Sequence, residues 1–379
     1  MTRISDFVGM RSLAVHFPKT IKTNDYYKSN YPESVAKAEQ SFWSKSLAAR
    51  EKTENSEEVT LWREAIQPYL ADPFRGTVER RVLGLGESTL TMEYAAACDA
   101  LEAAQLSPAE IDLIIVSCIF PEQIVPGDAA FLAQKLDINT PAWNLDSTCS
   151  STNVAYHTAC SLVKAGEYRN VLVVMSTAYT RFTDEEDPFA WWLGDGAGAF
   201  IVSSQPQGQG ILGTKFINTA ETCGAFFTEL TLDGQNKPKL LIRASQEAGR
   251  QLRETTVSYV RECCQGAAVD ANVTLDQIDF FIFSTPTAWY TEVCSKALGI
   301  DSTRTINVNP LYANIGPVLP LANLYHAAAS GKIRENDLVL VYAIGSVSNA
   351  GAVIMRWGDV ALGTAPAPGL QAQTLVSIG

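Results

Sequence analysis

Cys149 is the residue best placed to do chemistry. It lies in NLDSTCSSTNVAYHTA, where the apolar-flanked Trp143-Asn144-Leu145 gives way to a helix-like run. The small neighbours Ser147, Thr148 and Ser150 allow a tight turn. A thiol at such a helix start sits on the positive end of the macrodipole, where the thiolate is favoured. The backbone N–H of Cys149 can also donate to an oxyanion developing on a carbonyl in front of it. Together these suit nucleophilic acyl chemistry, and a cysteine that merely packs is the alternative. The other chemistry-bearing residues are sparse. His16, His157 and His326 all read as structural: one near the first strand, one two turns into the Cys149 helix, one on a later helix. Cys98, Cys118, Cys160, Cys223, Cys263, Cys264 and Cys294 show no CxxC or zinc-type spacing, and several fall in apolar periodic segments. No HExxH, acidic glycine loop or P-loop is present, so no metal site is expected. GLG at 84–86 and GDGAG at 194–198 lack the strand–GxGxxG–helix context of a dinucleotide site.

The elements that must hold this turn emerge when the chain is compared with itself. Residues 106–118 read LSPAEIDLIIVSC and residues 273–285 read VTLDQIDFFIFST, so Asp112 matches Asp279. CSSTNVAYHTACSLVKAGEYRNVLVVMS, from Cys149, matches NIGPVLPLANLYHAAASGKIRENDLVLVYA, from Asn314, at nearly the same separation. Each copy carries a glycine after its helix, Gly166 and Gly331, and then a buried strand. Helix-then-apolar-strand order used twice implies right-handed crossovers and sheets covered by helices. A repeat of this length is domain-sized. The sequence thus divides into a first half over 1–205, a second half over 206–357 and an extended tail over 358–379. The first boundary falls where SSQPQGQGILG supplies Gly, Pro and Ser. Residues 25–75 stand outside the repeat. Helical spacing in ESVAKAEQSFWSKSLAAREK and SEEVTLWREAIQPYL predicts two inserted amphipathic helices, a cap or a partner surface.

Composition narrows the function classes. The chain has 379 residues, 46% hydrophobic and 18% charged, enough for a large core without disulfides or metals. Its 29 Lys+Arg against 41 Asp+Glu give a net charge of −12, which argues against nucleic-acid binding through phosphate neutralisation. No run approaches the ~20 apolar residues of a membrane span. The start, MTRISDFVGM, lacks the apolar core of a signal peptide, and the unpatterned cysteines point to a reducing, cytoplasmic setting.

With the Cys149 string, GDGAGAF at 194–200, YANIGPVLP at 312–320 and AIGSVSNAGAVIMRW at 343–357 occur in order. Over residues 8–24 and 75–357 the chain resembles the ketoacyl synthase III proteins of the thiolase superfamily. The resemblance implies a five-layer αβαβα sandwich of two similar five-stranded halves, with the insertion near 25–75 added to it. It implies that Cys149 accepts an acyl group from acyl-CoA or an acyl carrier protein and passes it to an acceptor. That acceptor is a malonyl thioester or, without decarboxylation, an alcohol or amine. No tightly bound cofactor is implied; the acyl group on CoA or phosphopantetheine is the substrate.

The family's catalytic Asn falls at Asn314 and its catalytic His at Ser284, in FIFSTPTAW. Ser can donate a hydrogen bond but is no general base at neutral pH, and Thr285 and Thr287 are alternative donors. This departure and the insertion suggest specialised, polyketide- or fatty-acid-like metabolism. Backbone N–H groups at Cys149 and Ser346 would form the oxyanion hole. Phe189, Trp191 and Trp192 would shape an acyl or acceptor tunnel, or simply pack. Arg75, Arg80 and Arg81, read as an exposed loop, would offer one guanidinium to a CoA phosphate. Glu122 is a loop carboxylate, solvated or lining the acyl pocket. The resemblance also implies a homodimer, or a heterodimer with a related ketosynthase, formed through the strand near 171–177. In the heterodimer this chain could be a non-catalytic subunit.

Overall fold

The computed structural model describes residues 7–40, 56–345 and 348–366. The strands are β1 (Val8–His16), β2 (Thr20–Thr23), β3 (Glu79–Val82), β4 (Leu113–Ile119), β5 (Ala142–Asn144), β6 (Val171–Ala178) and β7 (Asp195–Ser204) in the first half. Then come β8 (Gly210–Asn218), β9 (Phe226–Leu232), β10 (Pro238–Ala244), β11 (Phe280–Phe283), β12 (Leu338–Gly345), β13 (Asn349–Arg356) and β14 (Ala361–Leu362). The helices that matter are α1 (Asn24–Asn30), α2 (Glu57–Ile66), α3 (Thr89–Ala104), α4 (Asp128–Leu136), α5 (Ser151–Lys164), α6 (Ala248–Asp270), α7 (Tyr290–Leu298) and α8 (Val318–Ala329).

Two mixed sheets carry the molecule. The first has order β14-β1-β7-β6-β4-β5 and the second β11-β12-β13-β8. Within them β4 lies parallel to β5 and β6, and β11 parallel to β12. Helices α5 and α8 pack between the sheets, α3 and α4 cover the outside of the first, and α6 and α7 that of the second. This is the five-layer αβαβα sandwich. Strands buried on both faces explain why LIIVSC, VLVVMS and LVLVYA read as continuous apolar runs rather than alternating ones.

The sequence repeat has a shared local physics. Ser107 and Glu110 form a capping box, and Thr274 and Gln277 form another at the corresponding turn. Asp112 then accepts from the backbone N–H of Asn170 while its own N–H donates to the Asn170 carbonyl; Asp279 makes the same exchange with Leu338. Gly166 and Gly331 both take positive φ, which ends each helix and starts the return strand.

Several expectations are corrected. The sheets have six and four strands rather than five each: β14 extends the first, and in the second the fifth position is only a bridge between Phe281 and Thr305. The segment 171–177 cannot offer a dimer edge. It is β6, fully buried and paired on both sides by β4 and β7, while the free edges of that sheet are β5 and β14. The tail is not wholly loose, because β14 pairs with β1 and Gly363 accepts from the Tyr325 hydroxyl. Of the two inserted helices, residues 32–40 are helical and the rest of the first lies outside the described residues; the second is α2. Among the described residues no helix is long and apolar enough to cross a membrane.

Candidate active site

Strands β4, β6 and β11 are followed at their carboxyl ends by Phe120, by Tyr179 and by the run Pro286-Thr287. All of these residues line one cavity of about 850 Å³. Cys149 and Asn314 line it too, brought from opposite halves. Placement at strand carboxyl ends is where open α/β sheets leave room for ligands.

The Cys149 turn is a 3-10 segment, Thr148–Ser150, leading into α5. Thr148 holds φ at +50°, a costly conformation for a β-branched residue, on the order of 1–3 kcal/mol. The surroundings over-determine it. Its N–H donates to Asp146 at 2.9 Å, and its carbonyl accepts from the Ser151 hydroxyl at 2.7 Å. From the second half, Asn349 bonds both Ser147 and Ser150, and Ser348 pairs with Ser147. Gly345 lets β12 close on this turn, since a Cβ there would stand 2.7 Å from the Ser147 carbonyl oxygen. Asn153 locks the following helix turn with bonds to the Val341 and Gly351 carbonyls.

Cys149 is half-buried, and its Sγ lies 3.6 Å from the Tyr179 hydroxyl. Burial pushes its thiol up to about 11; the Tyr179 hydroxyl opposes that rise, and the Asp146 charge adds to it. This overturns the expectation of a dipole-stabilised thiolate. The helix start is there, but removing water from a sulfur anion is the largest influence on this thiol, ahead of the Tyr179 and backbone hydrogen bonds that favour the thiolate. Tyr179 is itself held well above its ordinary value by burial, so its hydroxyl keeps its proton and serves as a donor.

Asn314 follows Ala313, another non-glycine residue at positive φ (+59°). Its N–H donates to the Trp192 carbonyl and its carbonyl accepts from Gly194, while Oδ1 accepts from the Gly316 N–H at 2.9 Å. With Oδ1 engaged, its NH₂ is the group of this cavity-lining side chain able to donate. Gly194 belongs to the GDGAG motif, whose role is packing. Asp195 is buried and accepts from Leu83 and from both the backbone and hydroxyl of Thr180, fixing the loop that carries Tyr179.

The remaining expected residues divide. Thr287, Trp192, Phe189 and Arg75 line the cavity. The Thr287 hydroxyl is buried without a hydrogen-bond partner, and Arg75 donates to the Tyr69 carbonyl. Ser284 does not line the cavity: it is 1% exposed at the end of β11, with its N–H on the Tyr342 carbonyl. Thr285 is buried as well, its hydroxyl accepting from Asn323. Trp191 sits in an aromatic cluster with Tyr27 and Phe74 rather than on the cavity. The exposed-loop reading of Arg80 and Arg81 fails, because both belong to β3 and are buried. Arg80 donates to the carbonyls of Trp191 and Lys22 and packs over the Tyr27 ring. Arg81 pairs with Glu79 and packs over Tyr312. Glu122 is exposed and is not among the cavity-lining residues, and Ser346 lies outside the described residues. No histidine lines the cavity. His326 bonds the Tyr312 hydroxyl, and burial lowers it to about 4.

Sequence reasoning missed Tyr179, Phe120, Cys118 and Arg253, all cavity-lining. The first three could have been found from their positions at the ends of β6 and β4. Cys118 also touches a buried pair, Glu93 and Asp128. Burial and the Asp128 charge raise the Glu93 carboxyl to about 8, so it is largely protonated at neutral pH.

Two duplicated α/β halves stacked in five αβαβα layers define the thiolase fold. Residues 144–220 match the family profile described as 3-oxoacyl-[acyl-carrier-protein (ACP)] synthase III, and residues 269–357 match its C-terminal counterpart. The β-ketoacyl-[acyl-carrier-protein] synthase III of Chelativorans sp. (strain BNC1) is 30% identical over 287 residues, covering 74% of this chain and 88% of that protein. The crystal structure of 3-oxoacyl-[acyl-carrier-protein] synthase III from Aquifex aeolicus VF5 has a TM-score of 0.73 at 24% identity, over 92% of this chain and 100% of that one. Crystal structures of Xanthomonas campestris OleA with bound lauric acid and lauroyl-CoA share the fold, with a TM-score of 0.73 at 16% identity over 93% of this chain and 100% of that one. The chain belongs to the 3-oxoacyl-[acyl-carrier-protein] synthase III family, whose members are acyl-transferring, condensing enzymes.

Proposed function

We propose that this protein is an acyltransferase that loads an acyl group from acyl-CoA or acyl carrier protein onto Cys149 and passes it to an acceptor. The observation that carries this reading is the convergence of Cys149, Tyr179 and Asn314 on one largely apolar cavity at the strand ends. In the first step Sγ attacks the thioester carbonyl, and the S–C bond to the carrier breaks. The proton of Cys149 leaves on the carrier thiol, so thiol exchanges for thiol without net charge. The Cys149 N–H at the helix start and the Asn314 amide would donate to the carbonyl oxygen as it becomes an oxyanion. Of the three arginines read from the sequence, Arg75 is the one at the cavity wall, and it would present its guanidinium to a carrier phosphate.

Ser284 at the expected histidine position favours a second step without decarboxylation. Loss of one oxyanion donor typically costs ~2.7–4 kcal/mol of barrier, a penalty that falls on an enolate-forming path. Attack by an alcohol or amine on the Cys149 thioester forms an ester or amide, with the acceptor proton moving to the departing sulfur. Such a reaction fits specialised, polyketide- or fatty-acid-like metabolism in the cytoplasm. Single-turnover product analysis tests this by offering the acylated protein malonyl thioesters, alcohols and amines in parallel. Ester or amide product without CO₂ release is expected. Rapid decarboxylative condensation would favour the C–C bond-forming alternative, and transfer to none of the acceptors would favour a non-catalytic partner subunit.

A further inference from the structure

The transfer step needs a group that takes the acceptor's proton, and the cavity narrows the choice to one residue. Ser284, at the expected histidine position, lies off the cavity, and no histidine lines it. Tyr179 and Cys118 are both held well above their ordinary values by burial and keep their protons. Arg75 and Arg253 are cations, and the lining threonines and Asn314 are neutral groups that are no bases at neutral pH. Asp146 is the one carboxylate among the described residues that line the cavity. It is also exposed, so an acceptor entering from solvent reaches it. The nucleophile turn fixes it in place: Oδ1 accepts from the Thr148 N–H at 2.9 Å, and no hydrogen bond among the described residues engages Oδ2. Asp146 stands three positions before Cys149. Its charge acts on both the Cys149 thiol and the Tyr179 hydroxyl, which lie 3.6 Å from each other.

We propose that Asp146 is the general base of the transfer step, taking the proton of an incoming alcohol or amine and handing it to the Cys149 sulfur as that sulfur leaves. This rests on the acyl-thioester reading above. As the acceptor oxygen or nitrogen bonds to the acyl carbon, its proton moves to Oδ2 and the carbonyl oxygen becomes an oxyanion. The carbonyl then re-forms, the C–S bond breaks, and the sulfur departs with the bonding pair. A thiolate whose thiol is held at about 11 is a far stronger base than a carboxylate, so it takes the proton and Asp146 is restored. Charge balances over the step. The base then comes from the nucleophile's own turn, not from the second half, where the family's histidine falls at Ser284.

The test compares wild type with Asp146→Asn, whose amide oxygen can still accept from the Thr148 N–H but takes no proton at neutral pH. Asp146→Ser, whose hydroxyl can hold the same turn, is the second variant. Each is checked for a cooperative melt. Cys149 is acylated with hexanoyl-CoA and, in a parallel arm, with p-nitrophenyl hexanoate, which needs no carrier site. Peptide-level mass spectrometry follows loss of the hexanoyl group from Cys149 to water, to n-butanol and to β-mercaptoethanol, with the exposed Cys223 as internal reference. The thiol ionises in solution and needs no base from the protein. General bases contribute ~10²–10⁴-fold, so transfer to n-butanol and to water should slow at least about tenfold in Asp146→Asn, while transfer to β-mercaptoethanol changes less than about threefold. Asp146→Ser should do the same and decides the matter if Asp146→Asn does not fold. Unchanged rates with n-butanol and water, or equal slowing with the thiol, overturn the base and leave Asp146 a turn residue. A wild-type Cys149 thioester that decays no faster than one on Cys223 overturns it too. If hexanoyl-CoA acylates no protein, the thioester reading fails on its own and the p-nitrophenyl arm still decides; if neither donor acylates Cys149, both fall.

Discussion

Among the described residues, Tyr179→Phe isolates the side chain hydrogen-bonded to the Cys149 sulfur. The substitution keeps the ring and deletes the hydroxyl that lies 3.6 Å from the Cys149 sulfur. A hydrogen bond to a charged group contributes about 1.5–3 kcal/mol, and this long contact to sulfur belongs at the low end. At 1.36 kcal/mol per unit, the thiol should rise by about one unit beyond its position near 11. At pH 8 the thiolate population then falls about tenfold. A more basic thiolate is also more nucleophilic, with a Brønsted slope of about 0.4–0.5, which returns about threefold. The net expectation is alkylation of Cys149 by iodoacetamide about threefold slower than in wild type. Peptide-level mass spectrometry must read it, because the exposed Cys223 reacts as well and serves as an internal reference. An unchanged or faster rate, or a wild-type pH profile inflecting near 7, would refute the argument that burial governs this sulfur.

Four further substitutions have expected outcomes. Gly345→Ala should lower both melting temperature and acylation, because its Cβ would meet the Ser147 carbonyl oxygen at 2.7 Å and the Ser150 hydroxyl at 2.9 Å, overpacking that typically costs about 1–3 kcal/mol; normal activity would show the turn to be compliant. Arg80→Met leaves the buried Trp191 and Lys22 carbonyls without their donor and should destabilise urea unfolding by about 3 kcal/mol, whereas Arg75→Ala should raise KM for the acyl donor with little stability change. Glu93→Gln bears on pH. The folded-state pKa of Glu93 is raised from 4.5 to about 8, so the wild type is most favoured below 4.5 and loses stability as pH rises through 8. The variant should gain steadily on wild type in urea unfolding between pH 5 and 8.5, and a constant difference would contradict that assignment.

The duplicated architecture was legible because it rests on local chemistry. The Ser107 and Thr274 capping boxes, the aspartates five residues after each cap and the apolar strands beyond them are all written at fixed offsets. Cys149 and Asn314 were legible from motif strings, and the structure brings them to one cavity. What stayed hidden depends on layers that sequence spacing does not report. Arg80 and Arg81 look like a solvated cluster, but β2 and β3, distant in sequence, pair antiparallel, and the arginines of β3 are covered by Trp191, Tyr27 and Tyr312. Trp191 and Trp192 are adjacent, and the 3-10 turn at 188–192 sends one into the core and the other to the cavity. The thiol's energetics were read from the helix start alone, while desolvation is a property of the assembled walls.

The most direct measurement is intact mass spectrometry of the full chain after incubation with a panel of acyl-CoA and acyl-carrier-protein thioesters, beside Cys149→Ala. The account predicts a single acyl adduct on the wild type, released by hydroxylamine and absent from the variant. No adduct from any thioester, or one that persists in Cys149→Ala, would contradict it.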